Sequence, residues 1–104
     1  VILNTLGFGM DPLSALTAPR VHSQLLPDEV QVEDSSLTVL GTYPAPITIS
    51  AGDEVYRALT SRSHLNVSRH TGGMACTQFI TIDRDSGLMH AVSDPRKDGR
   101  PAGY

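Results

Sequence analysis

Residues Ser93–Tyr104 read SDPRKDGRPAGY, and the fold of this chain turns on how that string is understood. A loose terminal stretch is ordinarily polar and featureless. This one sets Pro95, Arg96, Lys97, Gly99 and Pro101 into a patterned series that closes on an aromatic residue. Arg96 follows Asp94-Pro95, so its planar five-donor fork leaves a backbone that the proline ring has stiffened. Arg20 follows Pro19 in the same way. Such a fork can tie several carbonyls or a carboxylate together. Composition by itself leaves solvated surface charge as an equal alternative for both arginines.

Working outward, the length leaves room for one modest core. A chain of 104 residues corresponds to a small domain that buries roughly two-thirds of its unfolded surface. The formal charge of −3, the absence of tryptophan and the lack of a basic run longer than Arg96-Lys97 argue against a nucleic-acid surface. Cys76 is the only cysteine, which excludes an internal disulfide and a cysteine-rich metal site. Between Ala75 and Thr77, it is expected to be a small buried hydrophobe. No apolar run approaches the ~20 residues of a membrane span, and no signal peptide with a basic start is present.

VILNTLGFG, residues 1–9, reads as a helix entered partway along, with Val1, Ile2, Leu3 and Leu6 facing inward and Gly7 and Gly9 fitting its end. Asp11-Pro12 predicts a second, short helix: Asp as N-cap, Pro at the first helical position, apolar Leu13, Ala15 and Leu16, and a stop at Pro19. Residues 21–49 read as irregular and turn-rich, with one short strand at Val30 and Val32 and an exposed connection at GTYPAPITIS. DEVYRALTSRSH predicts the firmest helix, its acidic residues in the first turn and Val55, Ala58, Leu59 and Arg62 on one face. Strands follow at HLNVSR, ACTQFITID and LMHAVSD, the last two joined as a hairpin through DRDSG. Neither hairpin strand has a clean polar face, so the sheet should be covered on both sides. About two helices are too few to do that.

LNTLGFGMDP, APRVHSQLLPDEVQVE (Ala18–Glu33) and AVSDPRKDGRPAGY together resemble the C-terminal end of the small subunit of gamma-glutamyltransferases, also called glutathione hydrolases. The resemblance spans the whole chain, loosest over residues 34–63. Its anchors, PR-x-H-x-Q-x-x-P-D and SDPRK-x-G-x-P-A-G-Y, are long and of unusual composition. It implies an α+β fold, part of the αββα sandwich of the N-terminal nucleophile hydrolases and incomplete in residues 1–104, with the last strand and loop returning into the sandwich core.

It implies the chemistry too. In the family a threonine freed by autocleavage attacks the gamma-glutamyl amide of glutathione, its own amine acting as base, and the acyl group passes to amino acids, peptides or water. That threonine, the glutamate-binding serine pair with its acidic residue, and the Gly-Gly oxyanion donors all match positions upstream of Val1. No catalytic residue, cofactor or metal ligand is therefore expected in this segment. Arg20, Asp94 and Arg96 are its structural residues, buried or half-buried ties behind the site. The implied partners are the large subunit, the remainder of the small subunit and, in the full enzyme, the small-molecule substrate. The alternative is a non-catalytic remnant acting as a truncated interaction module.

Three arrangements imitate a site. Thr71-Gly72-Gly73 suggests an oxyanion loop, but it falls at the turn before a strand. Ser63-His64 with Asp53 could be drawn as a triad, although adjacency in sequence makes no nucleophile–base contact, and exposure at a helix end is expected. His22, His64, His70 and His90 lack any zinc-ligand spacing. Asn66-Val67-Ser68 is a glycosylation sequon. It suits the extracellular, cell-surface or vacuolar location of many eukaryotic family members, some of them tethered by an N-terminal membrane helix.

Overall fold

Asp11 starts the first regular helix by capping it. Its carboxylate accepts from the backbone amides of Leu13 and Ser14 at 3.1 and 3.0 Å, and Pro12 occupies the first position of α1 (Pro12–Thr17). The helix stops before Pro19, and its inner face buries Ala15 and Leu16 completely. The computed structural model describes residues 1–34, 37–39, 47–49 and 52–103.

Ahead of α1, Leu3–Gly7 winds as one π-type turn, wider than the helix that the apolar spacing implies. Gly9 takes the left-handed conformation, at φ +66°, whereas Gly7 stays within the turn. The expected inward stripe is not buried. Ile2, Leu3 and Leu6 are 67, 66 and 81 % exposed, since nothing among the described residues covers them. Beside them runs an open groove of about 740 Å³ lined in part by Ile2, Leu3, Ala15, Pro19, Val21 and Ala75.

Residues 21–49 are more regular than their prolines suggest. Val21–His22 (β1) pairs antiparallel with Val30–Glu33 (β2). Leu37–Val39 (β3) pairs antiparallel with Ile47–Ile49 (β4), so GTYPAPITIS ends in a strand where a connection was expected. The alternating β-branched Ile47-Thr48-Ile49 outweighs the nearby prolines. Residues 40–46 lie outside the described ones. The core of this half is Val32, 1 % exposed.

Strand β2 also pairs, in parallel, with Val67–His70 (β5), Val30 opposite Val67 and Glu33 opposite His70. Parallel neighbours need a crossover, and α2 (Asp53–Ser61) supplies it. Asp53 and Glu54 sit in its first turn, where they favour the helix dipole. Val55, Tyr56, Ala58 and Leu59 are half-buried, but Arg62 is the exposed C-cap and falls off the expected stripe. Gly52 joins helix to sheet with its amide on the Glu33 carbonyl at 3.0 Å. A Cβ there would stand 2.4 Å from that carbonyl oxygen and 2.5 Å from Val32 Cγ1, so only glycine fits. Arg69 closes the same neck, bonding Asp34 at 3.0 Å and Asp53 at 2.7 Å and stacking on the Tyr56 ring at 4.3 Å.

The expected hairpin is present: β6 (Gln78–Ile82) and β7 (Met89–Ser93) pair antiparallel from Gln78 opposite Ser93 to Ile82 opposite Met89. Its turn is held by Asp83 Oδ1, which accepts from the Asp85 and Ser86 amides and the Ser86 hydroxyl, and Gly87 supplies φ +71°. Helix α1 packs on the hairpin. Along β6, Phe79 and Thr81 are half-buried while Ile80 and Ile82 are 61 and 63 % exposed. Among the described residues the sheet is thus covered on one face.

Ile80, Ile82, Leu88 and Met89 on the hairpin, and Leu3 and Leu6 in the first turn, are exposed apolar side chains of the kind that drive association. Residues 1–104 produced alone should bind an apolar dye and elute as aggregate in sizing. A monomer with a cooperative melt would show that the faces are covered without the rest of a larger protein.

Candidate functional site

At the junction of α1, β2 and the SDPRK string lies a buried network of four charges. Asp94 caps a single 3-10 turn, Pro95–Lys97, accepting from the Arg96 amide at 3.1 Å, with Pro95 at the first position. Asp98 then turns left-handed at φ 53°, and the Gly99 amide reaches back to the Asp94 carbonyl at 3.3 Å. A Cβ on Gly99 would lie 3.1 Å from the Ser93 Cβ and 3.2 Å from the Asp94 carbonyl oxygen. This tight fold aims the Arg96 side chain inward.

All five N–H donors of Arg96 are used. Nε and Nη2 make a two-pronged pair with the Glu33 carboxylate at 2.5 and 2.6 Å. Nη1 reaches the Leu16 carbonyl at 2.9 Å and Asp94 Oδ1 at 3.3 Å, and Nη2 also bonds the Ala18 carbonyl at 3.1 Å. The two carbonyls are among those that the end of α1 leaves without helical partners. The side chains of Arg96, Glu33 and Asp94 are wholly buried. Gly73 makes room for them, since a Cβ there would be 3.0 Å from the Arg96 Cβ.

Arg20 completes the network. Nη2 meets Asp94 Oδ2 at 2.5 Å and Nη1 the Met74 carbonyl at 2.6 Å. The Arg20 amide donates to Glu33 Oε2 at 3.2 Å, and its carbonyl accepts from the Glu33 amide at 2.9 Å. The remaining carboxylate capacity holds the Met74 amide, at 3.4 Å from Glu33, and the Thr77 amide, at 3.0 Å from Asp94. Two cations and two anions thus cancel, and together they fix residues 74–77 between β5 and β6.

Burial pushes both carboxyls up, but the partners outweigh it. Arg96 brings Glu33 below the usual glutamate range, aided by the Arg20 and Met74 amides. The Arg96 amide, the Arg20 guanidinium and the Thr77 amide bring Asp94 below the usual aspartate range. Burial alone would lower the Arg96 guanidinium, and Glu33 and Asp94 raise it.

Arg20, Asp94 and Arg96, singled out from sequence, therefore meet in one place, and Glu33 is the member that sequence reasoning missed. Its position at the end of VQVE gave no sign that the strand would terminate on a buried anion. The partners of both arginines lie within this chain. Cys76 is exposed and accepts from Gln78 Nε2 at 3.4 Å, because it falls on the loop before β6 and outside the core. Thr71-Gly72-Gly73 is a bend, its Gly72 at φ +117°. Ser63 and His64 are exposed beyond the far end of α2 from Asp53, about 15 Å of helix away, so they form no triad. His22, His64 and His90 are exposed and His70 half-buried. Among the described residues no three histidine, cysteine or acidic side chains gather as metal ligands. Asn66 is exposed, its Nδ2 donating to the Asp28 carbonyl at 2.6 Å.

The α+β arrangement matches solved gamma-glutamyltranspeptidases and is part of their N-terminal nucleophile hydrolase fold. One of them is the acivicin-inhibited enzyme whose structure is described as revealing critical roles for its C-terminus in autoprocessing and catalysis. It aligns with 25% identity and a TM-score of 0.60 over 94% of this chain and 45% of its own. The family model for gamma-glutamyltranspeptidase matches residues 1–104, and the chain belongs to that family. Glutathione hydrolase 2 of Arabidopsis thaliana is 31% identical over 100% of this chain and 18% of its own length. The glutathione hydrolase proenzyme of Escherichia coli is 30% identical over 100% of this chain and 15% of its own. The chain thus spans less than a fifth of these curated relatives.

In a full-length protein carrying this segment, Arg96→Ala strands the buried Glu33 carboxylate, a loss of about 3–5 kcal/mol. Arg96→Lys should recover little, because an ammonium cannot reproduce the fork. Arg100→Ala, at an exposed position, should be nearly silent. The depressed Glu33 and Asp94 carboxyls add stability that is complete above their ordinary values of 4.5 and 3.8 and is lost as pH falls through the lower folded values. Denaturant midpoints measured from pH 7 down to 3 check both expectations. The acid limb should flatten in a Glu33→Gln, Asp94→Asn double variant.

Proposed function

We propose that this chain is the C-terminal segment of the small, catalytic subunit of a gamma-glutamyltransferase. The whole enzyme hydrolyses glutathione and transfers its gamma-glutamyl group to amino acids, peptides or water. Within it the segment is a support that binds no substrate. The observation that carries this reading is the complete use of Arg96's donors on buried partners. A guanidinium so occupied has no N–H left for a substrate carboxylate. What it does instead is clamp the SDPRK string against the end of α1 and the last residue of β2, and that clamp sets the backbone of residues 74–77.

The nucleophilic threonine, its amine base and the oxyanion donors belong to sequence upstream of Val1, in the remainder of the small subunit, and the large subunit is the second partner. The exposed faces of the β6–β7 hairpin and of the first turn are where those parts would pack. That a solved relative's C-terminus is ascribed roles in autoprocessing and catalysis supports a similar supporting role here, as does the proenzyme nature of the Escherichia coli relative. The location proposed for the mature protein is extracellular, at the cell surface or in a vacuole, with any membrane tether outside this segment.

Two measurements test the reading. Residues 1–104 alone should release no chromophore from a gamma-glutamyl anilide, and the full-length protein should. Turnover by the short chain, or none by a processed full-length protein, would overturn the proposal. In the full-length protein Arg96→Ala and Arg20→Ala should reduce subunit processing on a gel before they alter substrate affinity. Normal processing with a selectively raised KM for Arg96→Ala would place that arginine at the substrate.

A further inference from the structure

Asn66-Val67-Ser68 is the one N-x-S/T sequence in these 104 residues, and the buried network leaves it unused. Asn66 ends the exposed connection that follows α2 and directly precedes β5. It borders a shallow depression of about 270 Å³ with Asp28, Val30, Ser63, His64 and Leu65. Leu65 is 97 % exposed, and on the neighbouring loop Leu25 and Leu26 are 76 and 78 % exposed.

The amide geometry suits modification. Asn66 Nδ2 carries two hydrogens and gives one to the Asp28 carbonyl at 2.6 Å. N-glycosylation replaces a single hydrogen, so a modified amide keeps the N–H that the Asp28 bond requires. The tie between the two loops is kept when the hydrogen on the Asp28 carbonyl is the one anti to Asn66 Oδ1, the position that a trans secondary amide leaves protonated. Ser68, the hydroxyl that the acceptor sequence requires, lies in β5 and is half-buried.

We infer that Asn66 is an N-glycosylation site whose first N-acetylhexosamine lies over the depression beside Leu65, with the Asp28 bond retained. In the transfer, the amide nitrogen displaces a lipid-linked diphosphate from the anomeric carbon. The N–C1 bond forms, the C1–O bond to the diphosphate breaks, and one amide proton leaves to a base on the transferase. The inference rests on the secretory location proposed above, so its test supplies that route independently.

The full-length protein is expressed behind a heterologous secretion signal in a eukaryotic host, and the peptide containing Asn66 is examined by mass spectrometry before and after treatment with a glycan-releasing amidase. The expected result is a glycopeptide whose Asn66 becomes aspartate on treatment. The modification should be lost in Asn66→Gln and Ser68→Ala and kept in Ser68→Thr. An unmodified Asn66 peptide from secreted wild-type protein overturns the inference, as does loss of modification in Ser68→Thr. Fractionation of the natural protein reads the proposed location separately.

Discussion

Everything else in this structure is arranged around a buried guanidinium that cannot lose its charge. An arginine removed from water is tolerated only if every donor is met and its charge is balanced, and Arg96 satisfies both conditions with partners drawn from three parts of the chain. Glu33 balances it from the end of β2, Leu16 and Ala18 supply carbonyls that the end of α1 would otherwise leave unpaired, and Asp94 links it to Arg20. The helix end, the strand end and the 3-10 turn are each incomplete alone. Their polar deficits cancel only when all three are brought together.

The hydrophobic core is correspondingly small, limited among the described residues to Ala15, Leu16, Val32 and Met74. Apolar burial alone does not specify how α1, β2 and β7 approach each other. The charges add direction, since a two-pronged arginine–carboxylate pair fixes both distance and orientation. The glycines at 52 and 73 let backbone come close enough for the pairs to form. What the chain leaves open is equally informative, because the outer face of the hairpin has the composition of an interior and the exposure of a surface. That combination is what a segment of a layered fold shows when its neighbouring layers belong to sequence beyond it.

Local signals were legible in the sequence wherever one residue's chemistry decides the outcome. Asp11-Pro12 marked a helix start, DRDSG a hairpin turn and the acidic first turn α2. Arg20, Asp94 and Arg96 stood out through the resemblance to the family's two anchor strings, since proline-flanked backbone by itself left solvated charge as an equal alternative. Glu33 did not stand out, since a glutamate ending a strand is as ordinary in solvent as it is rare in a core, and only tertiary pairing separates the two. β1, β3 and β4 were missed for a related reason, as two- and three-residue strands exist by virtue of their partners and carry little periodicity of their own. Cys76 was placed inside on the habits of its residue type, and the path of the loop ahead of β6 overrode them.

The pairs that close the network are far apart along the chain. Arg96 reaches 63 residues back to Glu33 and 80 back to Leu16, so the order in which the chain is synthesised matters. At a ribosomal pace of roughly 5–20 residues per second, several seconds pass between the emergence of Glu33 and that of its counter-charge. During that interval Glu33 has no Arg96 guanidinium to offset the cost of burial. The charge balance of the network is therefore complete only once the SDPRK string has been made, which sets the earliest moment at which Glu33 can be buried beside its counter-charge.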